Sequence, residues 1–273
     1  MRALTASLTL AVLFSCPAAR AQLVSTAPGA QPQGEQKPVQ QYYAQDGGTR
    51  EVLESIVIPP KANAPFSLLL QTEWVKSLSD GGTMTMVNER HIARDSKGRI
   101  YQERWYLVPK VGKYESKMNV IQISDPNTHT LYNCLMLEQP HQCVLSTYTP
   151  SVNAVYNFNT PSSSGTLPDE EGSTIHDNLG KQLLNGVETM GSRDSIIYNP
   201  GVYGNDRKMT IEKEFWYSPL LGINLLSKRS DPRFGTQTFT VTNLILSEPD
   251  PNLFDLPAGF TVVDHRQTAA PEN

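Results

Sequence analysis

Helical periodicity is scarce along this chain. Beyond the N-terminus there is no apolar run of the roughly 20 residues needed to span a bilayer. Charge of the basic sign is also short. Lys and Arg number 23 against 27 Asp and Glu, a net charge of −4 at pH 7. That balance argues against a nucleic-acid partner, which needs a basic patch. Nucleophile motifs are missing: no G-x-S-x-G occurs, and Gly191-Ser192-Arg193 is a poor substitute. Gly201 to Gly204 is no phosphate loop, since no Lys-Ser or Lys-Thr follows and no helix opens there. Asp169-Glu170-Glu171 lacks calcium-loop spacing and fits a solvated loop. His176-Asp177 precedes an apolar run, and capping or loop hydrogen bonding explains Asp177 better than catalysis. No catalytic residue, metal ligand or cofactor is therefore expected.

Cysteine is rare, with three in 273 residues. Cys16 lies in an N-terminal segment that reads as an export signal. Met1-Arg2 is a positive start, Leu4 to Phe14 is apolar, and Ala19-Arg20-Ala21 fits a small-residue cleavage site before Gln22. The alternative is lipidation at Cys16, since Leu13-Phe14-Ser15-Cys16 loosely resembles a lipobox. Removing residues 1–21 takes away Arg2 and Arg20 and leaves 21 basic against 27 acidic residues, net −6. The protein is expected to be periplasmic or secreted. In that oxidising setting Cys134 and Cys143 read first as a disulfide across a hairpin turned by Glu138-Gln139-Pro140. The rival is a zinc site with His129 and His141, whose spacing is not compact.

Residues 22–48 are rich in Gln, Pro, Gly and Ala and read as a flexible tether. Residues 49–265 read as one β-rich domain interrupted by a long surface loop at 157–173, and 266–273 as a disordered tail. Strand signals fill the domain. Phe66, Leu68, Leu70, Thr72 and Trp74 alternate with Ser67, Gln71 and Glu73, and Asp80-Gly81-Gly82 turns the chain. Thr83–Arg94 and Arg99–Val108 flank the hairpin turn Asp95-Ser96-Lys97-Gly98. With the turn centred on Ser96-Lys97, Glu89 faces Arg104 and Arg90 faces Glu103. With a bulge at Gly98, Arg90 faces Arg104. Asn185-Gly186 is a second strong hairpin signal. Ser-Asp-Pro and Glu-Pro-Asp-Pro punctuate the C-terminal third, with one helical turn at Asp250–Phe254 before a last strand at Phe260–Val263. The expected architecture is mainly β: a curved antiparallel sheet, an open half-barrel of about ten strands in hairpin order, with few short helices.

The ordered blocks Arg94-Asp95-Ser96-x-Gly98-Arg99, Ile123-Ser124-Asp125-Pro126, Gly204-Asn205-Asp206-Arg207, Glu214-x-Trp216-Tyr217-Ser218-Pro219, Ser230-Asp231-Pro232-Arg233-x-Gly235 and Glu248-Pro249-Asp250-Pro251-x-Leu253-Phe254-x-x-Pro257 resemble a family of exported bacterial proteins with no assigned activity. The cysteine hairpin lies outside that pattern. The closing Leu-Phe-x-x-Pro-x-Gly-Phe element also resembles periplasmic lipoprotein-carrier-like (LolA-like) proteins. That resemblance implies a curved antiparallel half-barrel that holds acyl chains.

Two functions follow as expectations. The first is an exported, non-enzymatic protein holding a lipid or lipopeptide on a concave sheet face, with Phe66, Trp74, Trp105, Phe215 and Trp216 lining or bordering it. Adjacent Phe215 and Trp216 must then serve different surfaces. The alternative is a periplasmic interaction or sensor module that binds an envelope protein and no lipid.

Overall fold

The structure, a computed structural model, describes residues 56–149 and 163–266 and the backbone of two strands before them, β1 (Gln41–Tyr43) and β2 (Arg50–Val52). These all belong to Val39–Asn273, the second of two units into which the chain divides. The signal peptide 1–21, the Cys16 alternative, most of the tether 22–48, the start of the 157–173 loop and the tail from 267 lie outside the described residues. β1 falls at the end of the tether segment and pairs antiparallel with β2.

The remaining strands run, in chain order, β3 (Phe66–Ser77), β4 (Thr83–Arg94), β5 (Ile100–Trp105), β6 (Val108–Pro109), β7 (Met118–Asp125), β8 (Thr130–Leu135), β9 (Gln142–Thr147), β10 (Gly165–Thr166), β11 (Gly172–Leu184), β12 (Val187–Tyr198), β13 (Met209–Ser218), β14 (Ile223–Asp231), β15 (Gly235–Ile245) and β16 (Thr261–Asp264). All fourteen form one open, curved sheet in the order β10-β11-β12-β13-β14-β15-β3-β4-β5-β7-β8-β9-β16, with β6 beside β4. Two short 3-10 turns, Pro168–Glu170 and Pro251–Phe254, are the helical content of the described residues.

The mainly β half-barrel is as the sequence leads one to expect, with two differences in pairing. Hairpin order breaks where β15 joins β3, from Thr236↔Val75 to Ile245↔Ser67, which fuses the two halves of the chain into one sheet. The sheet is also not wholly antiparallel, because β16 runs parallel to β9. After β15 the chain makes the Pro251–Phe254 turn, started by Asp250, whose side chain accepts from Asn252 N at 2.9 Å. It then crosses the sheet instead of folding back. A parallel neighbour needs such a crossing, because a tight hairpin delivers only an antiparallel one.

The turn after β4 decides between the two registers. Gly98 has φ +83°, and the Asp95 carboxylate accepts from Lys97 N and Arg99 N at 3.0 and 2.8 Å. Arg94 pairs with Ile100 and Ile92 with Gln102, which is the Gly98-bulge register. The oppositely charged pairs Glu89–Arg104 and Arg90–Glu103 are therefore not formed across the ladder. Continued further, this register would set Arg90 against Arg104. The ladder stops short of that, and β4 takes β6 as partner instead, through Met86↔Pro109 and Val87↔Val108. Arg104 Nε donates to Gln122 on β7 at 2.7 Å. At the other predicted hairpin, Asn185 and Gly186 have φ of 50° and 75° and Leu184 pairs with Val187, the double positive φ that a two-residue turn needs.

Alternation builds two apolar clusters on opposite faces. Phe66, Leu68, Leu70 and Trp74 project on one side with Met86, Ile92, Ile223, Leu225, Phe239 and Val241. Ile56 and Ile58, ahead of β3, and Leu221 in the β13–β14 turn complete this cluster. The neighbour of Ile92, Ala93, points the other way. It belongs to a second cluster with Tyr101, Ile121, Ile123, Cys134, Cys143 and Phe254, packed by Leu253 and Phe260.

A buried cation fastens the cover of the first cluster. Arg94 is 0 % exposed and donates to Ala64 O, Pro59 O and Leu221 O at 2.7–3.0 Å, with its guanidinium 4.7 Å from the Phe66 ring. Burial lowers its pKa to about 10, partly offset by Tyr217. Lys61 adds bonds to Pro219 O and Leu220 O, both 2.8 Å. Across the sheet, Asn185 Nδ2 donates to Val241 O at 2.9 Å, which supplies a donor where the β14–β15 ladder has ended.

Candidate interaction surface

The five aromatic residues expected to line a ligand face separate into two groups. Phe66, Trp74 and Phe215 are 0 %, 2 % and 6 % exposed. The first two lie within the filled apolar cluster under Ile56, Ile58 and Leu221. Trp105 and Trp216 are half-buried, and each indole donates to the glutamate two residues earlier. Residues i and i+2 of a strand share a face, so Glu103-x-Trp105 and Glu214-x-Trp216 are two copies of one local device. Both sit at a β-bulge, where the register shifts between Arg104 and Trp105 and between Trp216 and Tyr217.

Glu103 accepts from Trp105 Nε1 at 2.7 Å, Tyr101 Oη at 3.0 Å and His91 N at 3.2 Å. Burial pushes the Tyr101 hydroxyl pKa up, and the adjacent Glu103 charge and hydrogen bond push it further. Glu214 accepts from Trp216 Nε1 and from Arg193, both at 2.9 Å. Burial alone would raise the Glu214 pKa; the bonds from Trp216 and Arg193, with the charges of Arg193 and Lys228, outweigh it and hold it low. The Trp216 ring lies over Gly191, where an added Cβ would come within 2.7 Å of it. Both indoles are thus committed to a glutamate of their own strand, and the Trp216 ring also packs on β12.

Cys134 and Cys143 are directly opposed on β8 and β9 and joined, with an S–S distance of 2.03 Å. With the sulfurs bonded to each other, the zinc alternative loses its thiolates. His141 stacks on Phe260 at 4.7 Å. Among the described residues no three His, Cys, Asp or Glu side chains converge on a metal-sized site. His176 is partnered by Asp194 across β11–β12 at 2.6 Å, not by the adjacent Asp177.

A different group of side chains is displayed to solvent. The β14–β15 turn carries Arg233 and Phe234, and the connection before β13 carries Tyr203. The Arg233 guanidinium lies 5.0 Å from the Tyr203 ring and 5.1 Å from the Phe234 ring, within cation–π range. Tyr198 meets Tyr203 edge-on at 4.9 Å. Tyr203 is 55 % exposed and Phe234 48 %. Arg233 is held at Asp231 by Nε at 3.0 Å and Nη2 at 2.8 Å, and Arg229 approaches the same carboxylate at 3.4 Å. Burial would raise the Asp231 pKa, but the bonds and charge of Arg233, with Arg229, hold it below the usual range.

The backbone beneath this group is fixed. Trp74 Nε1 donates to Phe234 O at 2.8 Å. Gly235 has φ +88° and lies so close to β3 that a Cβ would fall 2.1 Å from Val75 O, so only glycine fits. Asn205 accepts from Tyr203 N and donates to Asn199 O and Arg207 O. In the sequence these connections show turn chemistry and the Gly204–Arg207 and Ser230–Gly235 blocks. No periodicity marks them, and the two segments meet only once the sheet has formed.

No protein-family model matches the chain, and no curated protein matches it in sequence. Solved structures show remote architectural resemblance. MucB of Pseudomonas aeruginosa, in complex with MucA, is 12% identical with a TM-score of 0.35, over 74% of this chain and 58% of that one. The lipoprotein LppX of Mycobacterium tuberculosis is 9% identical with a TM-score of 0.27, over 67% and 86%. A domain of a proposed outer membrane lipoprotein-sorting protein from Vibrio parahaemolyticus is 9% identical with a TM-score of 0.18, over 70% and 89%. The chain thus spans little more than half the length of the MucB chain. These likenesses are remote and assign no residue a role.

Proposed function

We propose that this is an exported, non-enzymatic binding module that recognises an envelope protein through the Tyr203–Arg233–Phe234 surface. The observation that carries the reading is the contrast between the two sets of aromatic residues. Phe66, Trp74 and Phe215 are consumed by the interior, and the apolar face that Phe66 and Trp74 occupy is covered by Ile56, Ile58 and Leu221. An acyl chain would have to displace those side chains. Tyr203, Arg233 and Phe234 are instead exposed and already ordered by Asp231, Trp74 and Asn205. Tyr and Arg dominate binding hot spots, and a group held in place before binding loses less entropy on association.

The test is site-specific photo-crosslinking in the native envelope. A photoreactive residue at Tyr203 or Phe234 is expected to give a discrete protein adduct, and one at the exposed Leu183 to give none. Equal labelling at all three positions, or adducts to lipid alone at 203 and 234, would overturn the reading and favour the lipid-holding alternative.

A further inference from the structure

The two Glu-x-Trp strands end in different ways. β13 passes into β14 through the short turn 219–222, whereas β5 reaches β7 only through the longer connection 106–117. That connection is anchored to the sheet. Its β6 pairs with β4, Tyr106 N donates to Lys117 O at 3.0 Å, Lys110 N donates to Thr85 O at 2.9 Å, and Ser116 Oγ donates to Tyr106 O. Long anchored connections are where binding groups concentrate. This one encloses a half-open depression of about 370 Å³ lined by Tyr106, Val108, Lys113, Tyr114, Glu115 and Lys117.

The charges in the depression are mixed in a specific way. Lys113 and Lys117 form no ion pair among the described residues, whereas Lys110 is already paired with Glu73 at 2.6 Å. Two ammonium groups favour a phosphate, which accepts charge-assisted hydrogen bonds. Glu115 and the two phenol rings favour a cation beside that phosphate. Val111, next to the depression, is 90 % exposed, and Tyr114, in its lining, 66 %. An aliphatic tip beside a tyrosine suits the boundary between water and lipid, where amphipathic rings settle. The chain as a whole is acidic, so this local pattern is not part of a general basic surface.

We propose that the 106–117 connection docks onto zwitterionic phosphate headgroups of a lipid bilayer. The headgroup phosphate lies against Lys113 and Lys117, its cation against Glu115, and Val111 enters the interface. The site is separate from the Tyr203–Arg233–Phe234 surface and stands or falls independently of it.

The experiment is co-sedimentation of the exported chain with vesicles of phosphatidylethanolamine and phosphatidylcholine, beside vesicles containing phosphatidylglycerol, with soluble glycerophosphoethanolamine as competitor. The zwitterionic vesicles should bind the protein. Lys113→Gln and Lys117→Gln should each weaken this by about tenfold or more, as expected for loss of one charge-assisted hydrogen bond to a phosphate. Val111→Asp should abolish it, and Glu115→Gln should move the preference toward phosphatidylglycerol. Exposed loop changes leave the fold intact, which circular dichroism checks. Absence of vesicle binding, binding unaffected by Val111→Asp, or binding to the soluble headgroup but not to vesicles would each overturn the proposal.

Discussion

Replacing Arg94 with methionine should loosen the cover of the apolar face. The methionine keeps the aliphatic bulk against Phe66 but removes every donor, so Ala64 O, Pro59 O and Leu221 O lose the guanidinium that satisfies them. A buried carbonyl left without a donor is destabilising by about 1–3 kcal/mol. Taking the low end for three carbonyls, because the nearby Lys61 ammonium is exposed and water can approach, gives about 3 kcal/mol. Relief of the buried charge offsets some of the larger values, which is a second reason to stay at the low end. Against a typical total of roughly 5–15 kcal/mol, this is a large fraction. Urea unfolding under oxidising conditions reads it as a lower midpoint at unchanged slope. Because Arg94 ties residues 59–64 and the β13–β14 turn together, the variant should also bind a hydrophobic dye before it unfolds. A stability change below about 1 kcal/mol, the size of one ordinary hydrogen bond, with no added dye binding would refute the argument.

Replacing Cys134 and Cys143 together with alanine should lower stability by about 2–3 kcal/mol, since the bond closes a short loop in the unfolded chain; chemical denaturation of both forms gives the difference. Gly191→Ala should displace the Trp216 ring and destabilise by about 1–3 kcal/mol, visible as a red-shifted tryptophan emission. Asp231 has a folded pKa below its ordinary value of 3.8, so its contribution is full above that value and is lost as pH falls through the lower folded one. The urea midpoint of wild type should therefore fall more steeply than that of Asp231→Asn on going from neutral pH to below about 3.

Local turn chemistry was the most legible part of the fold. Asp95–Gly98 and Asn185-Gly186 announce their hairpins because each needs a left-handed backbone that few residues supply. The charges near the first turn allowed two registers, and the Gly98 bulge selected between them. The β15–β3 junction and the parallel β16 were not legible, because they join segments far apart in sequence and no periodicity records such a partner. Alternation correctly put Phe66, Leu68, Leu70 and Trp74 on one face, but it could not tell a lined groove from a filled interior. That depends on Ile56, Ile58 and Leu221, which come from irregular segments. The Glu-x-Trp pairs were readable in principle from the i, i+2 spacing. The Tyr203–Arg233–Phe234 group was not, although its connections hold the Gly204–Arg207 and Ser230–Gly235 blocks, since nothing in the sequence pairs two segments so far apart.

Native mass spectrometry of the protein isolated from its own envelope without detergent tests the central claim most directly. A filled interior and an exposed recognition surface predict a complex with a protein partner, lost in Tyr203→Ala and Arg233→Ala variants, and no retained acyl lipid. One lipid molecule held per chain, with no protein partner and no effect of either substitution, would contradict the account.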